Sequence, residues 1–229
     1  MRITRIPVFL VSGLLAGIQP AEAQRITSPY RFQETSQEIG GYAGYVSSEK
    51  GSVGLGAKSG VAYGARFAIR LGGPFMVEAE ALYFPTSHAV LDTVVVDSAF
   101  QEISSADQTI VAATAAMRFN LTGPRTWNGI MPFVLAGVGV AAQTDSDTEE
   151  VEKAPTDARF DFGTSLAGVL GAGIGIFPSK HLSIRIDGRN LLWKVKTPAA
   201  LLRGDFGRTM PQDEWVQNLS ASAGVSIHF

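Results

Sequence analysis

The chain has 229 residues and contains no cysteine, which removes a whole group of functions. Without thiols it can form no disulfide, no thiolate metal site, no cysteine nucleophile and no acylated cysteine of the lipoprotein type. Charged residues are also scarce, at 17%, compared with about 25% in an ordinary soluble domain. The formal charge of −2 gives no electrostatic basis for nucleic acid as a partner. Hydrophobic residues reach 45%, which excludes a disordered chain.

Long apolar runs are missing except at the N-terminus. The segment 6–18 (IPVFLVSGLLAGI) has 13 residues and is too short to span a bilayer comfortably as a helix. Arg2 and Arg5 precede it, and Ala21 and Ala23 form an A-x-A cleavage site after it, which is the pattern of a secretory signal. We therefore predict a cleavable signal peptide at 1–23, a lead-in at 24–36 and a folded domain at 37–229. The alternative is a buried N-terminal helix.

Alternation of apolar and polar residues runs through the rest of the chain. Residues 219–229 place an apolar residue at every second position and a small or polar residue between, a period of two that predicts a strand with one apolar face. The same pattern covers 61–71, 75–83, 111–121 and 182–189. Segments 38–47, 130–144 and 162–177 complete eight strands, and the last two are too uniformly apolar and glycine-rich for their faces to be assigned.

The connections between these strands alternate in length. Short connections lie at 72–74, 122–129 and 178–181, and longer polar ones lie at 48–58, 86–107, 145–161 and 194–214. This order predicts an all-β fold, an eight-stranded antiparallel up-and-down transmembrane β-barrel with both termini on the periplasmic side. Aromatic residues lie at the strand ends, as girdles would: Tyr63, Tyr83, Trp193 and Trp215 near long loops, and Phe75, Phe119, Phe133, Phe177 and Phe229 near short turns or the C-terminus.

The charged residues of the clear strands all fall on one face, which we predict to face the lumen. They are Arg66, Arg70, Glu78, Glu80, Arg118, Arg185, Asp187 and Arg189. Such a barrel is barely wide enough for its own side chains, so we expect a structural network of ion pairs that fills the lumen. The excess of five arginines over three acids motivates the alternative of a narrow pore.

The last strand carries a resemblance to a known family. Its ending, from Ala223 through Val225 and Ile227 to Phe229, resembles the C-terminal insertion signal of outer-membrane barrels. Residues 171–189 resemble the penultimate hairpin of small barrels of the OmpA/OmpX-like superfamily, the outer membrane protein β-barrel domain. The resemblance implies a bacterial outer-membrane location, lipid as the surrounding partner and insertion by the outer-membrane assembly machinery. We expect no peptidoglycan-binding domain after Phe229, so the resemblance does not imply cell-wall tethering.

Alternation alone does not distinguish a membrane barrel from a soluble one, because charges on the second face could be solvated instead. A soluble periplasmic carrier of the lipocalin type is therefore the alternative. Three features favour the membrane barrel: the predicted signal peptide, a strand that runs to Phe229, and an apolar face rich in alanine and glycine.

Catalytic and metal sites have weak support. His181 and Ser183 form an H-x-S triplet that resembles the one in lipid A deacylases, but it lies in a turn and residues 190–204 contain no acid to orient the histidine. His88 and His228 have no metal-type spacing, and the acidic segment 145–161 lacks the spacing of a calcium loop. The glycines at 171, 173 and 175 lie within a strand and open no helix, so no nucleotide cofactor is expected.

We predict a non-enzymatic protein without cofactor that acts in envelope integrity or surface interaction through loops 86–107, 145–161 and 194–214. Its extracellular ligand is left open.

Overall fold

The computed structural model describes residues 28–96, 99–146, 148–202 and 211–229, and for 93–96, 99–101, 145–146 and 148 it describes the backbone only. The predicted signal peptide and its cleavage residues Ala21 and Ala23 lie outside the described residues. In chain order the elements are β1 (Tyr30–Phe32), β2 (Gln37–Ser48), β3 (Gly60–Gly72), β4 (Phe75–Val96), β5 (Ala99–Asn120), β6 (Arg125–Trp127), β7 (Ile130–Ser146), α1 (Thr148–Glu152), β8 (Thr164–Ile176), β9 (Leu182–Lys196), α2 (Ala199–Leu202) and β10 (Asp213–His228).

Eight of these strands form a closed antiparallel barrel, which confirms the predicted fold class. Each pairs with its neighbour in the chain, and β10 closes the ring on β2 through a register that runs from Asn218 opposite Ser48 to His228 opposite Glu38. Closure leaves these strands without a free edge inside the bilayer, where an unpaired backbone group would cost several kcal/mol. The two short strands β1 and β6 pair with each other outside the ring.

The two ends of the barrel differ in their connections. One end, here called the turn rim, carries the short connections between β3 and β4, at 121–129 and at 177–181. The other end, the loop rim, carries residues 49–59, the far part of the β4–β5 hairpin, the α1 segment and the α2 segment. The tight turn after β3 uses Gly73 at φ +53°, a backbone conformation that glycine adopts without steric cost.

The stretch 86–107, predicted as a loop, is mostly strand. In the structure β4 and β5 continue far beyond the other strands, and their pairing extends past His88, which lies opposite Ala106. The strands were not predicted because apolar and polar residues do not alternate regularly in the sequence of this stretch. It folds as a two-stranded arm above the loop rim, and α1 contacts its β5 strand.

The burial pattern of the wall is inverted relative to a soluble barrel. On β10 the apolar residues Leu219, Val225 and Ile227 are half or more exposed, whereas the intervening Ser226 and His228 are buried. An apolar face of this extent pointing outward is suited to hydrocarbon and not to water. The soluble-carrier alternative is therefore wrong for this fold.

Candidate functional site: the interior of the barrel

The half of the lumen near the turn rim is filled by charged side chains. Eight of them are buried there: Glu38, Arg66, Glu78, Glu80, Arg118, Arg185, Asp187 and Arg189. They come from β2, β3, β4, β5 and β9, at positions whose neighbours along the strand face lipid. Charges can be buried only when each is paired and hydrogen-bonded, so the contacts of this set, here called the charged network, decide whether it is stable.

Glu78 is the acceptor at the centre of the charged network. Its carboxylate accepts hydrogen bonds from Arg185 at 2.5 Å, from Arg189 at 2.8 Å and from Arg118 at 3.0 Å. Only 1% of the residue is exposed. Three arginines from β5 and β9 thus share one carboxylate of β4, and this contact ties together strands on different sides of the barrel.

Arg66 is the corresponding donor. Its guanidinium donates to Glu80 at 2.7 Å and to Asp187 at 2.7 Å, and it stacks 3.8 Å from the ring centre of Tyr42. A β-carbon at Gly64 would overlap that tyrosine ring, so the glycine leaves the space in which Tyr42 covers the guanidinium. Arg189 contacts both acids, Glu80 at 2.6 Å and Asp187 at 2.9 Å.

Glu38 also belongs to the charged network, although it was not among the predicted lumen charges. It accepts a hydrogen bond from Arg118 at 2.6 Å. The network therefore contains four arginines and four acids, and the arginine excess that motivated a pore is not present in it. Alternation along β2 could have identified Glu38 as a lumen residue, because Ile39 and Tyr45 lie on the outward face and Glu38 lies on the opposite one.

Arg70 was predicted to belong to this set, and that prediction is wrong. It occupies the last inward position of β3 before the turn, so it lies at the mouth of the barrel and not among the buried acids. There its guanidinium donates to the backbone carbonyl of Gln33 at 2.6 Å. The Gln33 side chain in turn donates to the carbonyl of Lys180 at 2.9 Å, in the turn between β8 and β9. Residues 28–36, the described part of the lead-in, thus cross the turn rim as a strap.

The half of the lumen near the loop rim is apolar. Strand residues Phe84, Ile110 and Trp193 point inward, and connections outside the strands add further buried side chains: Leu55, Phe160, Phe162 and Leu201. Phe162 meets Trp193 edge-on with ring centres 6.0 Å apart. We refer to this set as the apolar plug.

Two predictions about aromatic residues are corrected by this arrangement. Trp193 was assigned to the outer girdle, but it is 1% exposed and lies inside the apolar plug. Phe133 is likewise buried in the lumen, with Arg185 stacked 4.2 Å from its ring centre. Phe133 lies on β7, whose faces could not be assigned from alternation, whereas Trp193 continues the inward face of β9 that Arg185 and Arg189 mark. Tyr63, Tyr83 and Trp215 do face outward near the loop rim.

The β4–β5 arm closes over the apolar plug. His88 is buried on the arm and its ring lies 5.2 Å from that of Phe160. Burial lowers the pKa of this histidine below its ordinary value; Gln108 opposes the shift through its side chain, and the nearby cation Lys58 adds to it. The arm is also held to α1, where the hydroxyl of Ser104 donates to Glu150.

The H-x-S triplet does not form a His–Ser pair of its own. The hydroxyl of Ser183 lies 2.7 Å from Nε2 of His228, on β10, and His181 Nδ1 lies 3.1 Å from the backbone oxygen of the same His228. Ser183 and His228 are both buried near the turn rim. This is a packed polar contact at the turn-rim end of the lumen.

The described part of the chain gives no support to a metal centre or a helical span. Within it, no group of three or more histidine, aspartate or glutamate residues is arranged to hold a metal ion. In the same residues, no helix has the length and hydropathy to cross a membrane.

Comparison with known proteins identifies the family. The model of the outer membrane protein beta-barrel domain matches residues 9–229. The chain belongs to this family, and its place is the bacterial outer membrane.

Solved structures agree with the fold. Neisserial surface protein A superposes with a TM-score of 0.52 at 12% identity, covering 88% of this chain and 98% of that one. The outer membrane protein OprG from Pseudomonas aeruginosa gives 0.51 at 16% identity, with 89% and 99% covered. The outer membrane enzyme PagL gives 0.38 at 15% identity, with 82% and 97% covered, which is too distant to argue for an activity. No curated protein matches the sequence.

Proposed function

We propose that this protein is a non-conducting, non-enzymatic barrel that supports the outer membrane and presents a folded cap outside the cell. The cap consists of the loop-rim segments 49–59, 85–108 and 145–163 and the α2 segment. The carrying observation is the asymmetry of the two rims: one has short turns and a strap, and at the other the described parts of the long connections pack into a common apolar core. Long loops of outer-membrane barrels face outside, so the proposed orientation has both termini in the periplasm.

Insertion by the outer-membrane assembly machinery is part of the proposal. Val225, Ile227 and Phe229 form a row on the lipid-facing side of β10, each about half exposed. Such a row gives the last strand a pattern of accessible apolar side chains that an insertion factor can recognise.

The orientation is tested by labelling, because the chain contains no cysteine and a single one can be introduced anywhere. Thr156→Cys lies exposed in the cap and Ser179→Cys lies exposed in the turn between β8 and β9. A membrane-impermeant maleimide applied to intact cells should label the first and reach the second only after permeabilisation. Labelling of Ser179→Cys alone on intact cells would overturn the orientation.

The role of the cap is tested by complementation of a deletion strain. Cap variants replace exposed acids, Glu152→Gln with Asp157→Asn, and leave the buried plug intact. If the envelope defect and any surface adhesion are restored by the parent barrel but adhesion is lost in the cap variant, the cap acts in surface interaction. If the deletion changes neither envelope permeability nor adhesion, the proposed function is wrong.

A conducting lumen is the competing function, and planar bilayer recordings test it. Because the charged network is balanced and both ends are covered, we expect no stepwise conductance from the purified barrel at high protein load. Regular single-channel steps that change with Glu78→Gln would assign the current to the lumen and overturn the non-conducting proposal.

A further inference from the structure

A small ribbon at the turn rim exposes three large aromatic side chains. In it β1 pairs antiparallel with β6, and Tyr30 lies directly opposite Trp127. Tyr30 is 50% exposed, Phe32 59% and Trp127 49%. Contiguous exposed apolar side chains mark an interaction surface, and the question is what covers this one.

The ribbon continues the lipid-facing wall of the barrel. Trp127 lies opposite Ile130 at the start of β7. The next residue, Met131, is buried in the lumen, so Ile130 and its partner Trp127 face outward. Tyr30 shares that face through its pairing with Trp127, whereas Thr126 on the other face is buried.

The height of the wall indicates where the ribbon lies in the bilayer. Tyr63 and Tyr83 form a directly opposed pair near the loop rim, and Tyr83 is in register with Ala142 of β7 through Val111. At a strand spacing of about 4.8 Å and a tilt of about 40°, registered residues differ in height by about 3 Å per strand, so Tyr83 and Ala142 lie within about 6 Å of one height. Ala142 and Ile130 are twelve residues apart on β7, which is about 40 Å along a strand and about 30 Å along the membrane normal at a tilt of about 40°. An outer-membrane barrel has an apolar band about 25 Å tall between two aromatic girdles. The Tyr63–Tyr83 pair and the Tyr30–Trp127 pair therefore fall at its two edges.

Without the ribbon the wall is too short on this side. Phe75, the first residue of β4, lies eight residues below Tyr83, about 26 Å along the strand and about 20 Å along the normal at the same tilt. The barrel strands β4 and β5 alone would end inside the apolar band, and the ribbon supplies the missing girdle beneath them.

We propose that the β1–β6 ribbon is a lipid-contact surface that seats in the phospholipid headgroup region of the leaflet at the turn rim. Tyrosine and tryptophan suit this position because their rings are apolar and their O–H and N–H groups find partners at the boundary. Arg125, opposite Phe32 in the ribbon and exposed, offers a cation to lipid phosphate. In this proposal the described part of the lead-in, residues 28–36, is held at the membrane surface. The identity of this leaflet rests on the orientation proposed above, and the proposal does not depend on what the cap does.

Tryptophan quenching tests the proposal, because the chain has three tryptophans in three different environments. Single-tryptophan variants carry two Trp→Phe substitutions each and are folded into phosphatidylcholine vesicles with bromine near the headgroup or deep in the acyl chains. We expect shallow bromine to quench Trp127 and Trp215 several-fold more than Trp193, which lies in the apolar plug. Strong quenching of Trp127 by aqueous iodide with little effect of bromine would overturn the proposal. Protection of Trp127 from both quenchers would also overturn it, because another protein segment would then cover the ribbon.

A second probe leaves all tryptophans in place. Tyr30→Cys and the control Ser179→Cys are labelled with an environment-sensitive fluorophore in the same vesicles. The label at position 30 should emit at shorter wavelength and resist aqueous quenching, and the label at 179 should remain accessible. Equal accessibility of the two labels would contradict a membrane-seated ribbon, even if the orientation labelling in cells succeeds.

Discussion

The half of the lumen near the turn rim and the half near the loop rim are both densely filled, but with different chemistry and by different parts of the chain. The charged network is built almost entirely from strand residues, and Glu78 alone contacts three arginines of two other strands. The apolar plug combines strand residues such as Trp193 with Phe160 and Leu201, which come from the connections. The half near the turn rim is filled by residues of the barrel strands, and the half near the loop rim is filled in part by residues of the connections.

This difference has an energetic consequence. A network of paired charges is highly sensitive to the loss of one member, because the remaining charges are buried without compensation. An apolar plug loses contact area and gains a cavity when one member is truncated, and its surroundings can partly collapse. The charged half therefore fixes a particular geometry of the strands, whereas the apolar half fixes the cap onto the barrel.

The largest effect is expected from Glu78→Gln. The substitution removes the charge that compensates Arg118, Arg185 and Arg189, and we expect it to lower the free energy of unfolding by about 3–5 kcal/mol. Urea-induced unfolding in phospholipid vesicles, followed by tryptophan fluorescence, measures it. Adding Arg185→Gln to Glu78→Gln should cost less than the sum of the two single changes, because both belong to one network. A loss below about 1 kcal/mol would show that the charges are screened by water.

Truncation in the other half should cost somewhat less and act locally. Phe160→Ala removes a buried ring that packs against His88, and we expect a loss of about 3 kcal/mol. Hydrogen exchange should rise in the cap segments while the strands that hold the charged network stay protected. Thr156→Ala, at an exposed position of the same segment, is the matched control. If exchange rises equally in both halves, the plug and the network form one cooperative unit and the comparison fails.

The same division explains what the sequence could predict. Alternation reveals the strands because lipid and lumen demand opposite chemistry of neighbouring residues, and it placed seven of the eight predicted lumen charges among the buried network residues. Arg70 was misassigned because alternation gives a face but no height, and this residue stands at the mouth. The faces of β7 and β8 were unreadable because glycine and alanine occupy both sides.

The apolar plug could not be predicted in the same way. Its members Leu55, Phe160 and Leu201 lie in connections, where no periodicity relates a residue to the lumen, and their burial follows from tertiary packing. The strand extension of the β4–β5 arm was missed for a related reason, since outside lipid the two faces of a hairpin need not differ in polarity. The strap could not be predicted either. Gln33 donates from its side chain to the backbone carbonyl of Lys180 and accepts from Arg70 at its own carbonyl, and such backbone contacts leave no residue pattern in the sequence.

An intermediate effect is expected where the charged half meets the strap. Arg70→Met removes a charged hydrogen bond to the carbonyl of Gln33, and we expect a loss of about 1–2 kcal/mol. Arg66→Met in the charged network should cost clearly more. If the same urea titrations give equal losses in the free energy of unfolding for the two substitutions, Arg70 belongs to the charged network after all.

Acid should loosen the apolar half before the charged half. The pKa of His88 is lowered by burial and by Lys58, so the closed cap holds this histidine neutral while the opened cap binds a proton more readily. Stability of the cap is therefore complete above the ordinary histidine pKa of about 6.5 and falls as the pH drops below it. Protease cleavage in the cap segments should increase between pH 7 and pH 5. His88→Phe should remove most of this pH dependence, and an unchanged dependence would assign it to other groups.

The smallest effect is expected from an ion pair that belongs to neither half. Glu34 and Lys180 lie 3.6 Å apart at the turn rim with side chains 74% and 77% exposed. Water and salt screen such a pair, and Glu34→Gln should change the free energy of unfolding by no more than about 0.5 kcal/mol. The substitution has the same chemistry as Glu78→Gln, so the two together isolate burial as the variable. A large loss at Glu34 would mean that the strap, and not the buried network, limits the stability of the turn-rim half, because this pair ties the lead-in to the turn between β8 and β9.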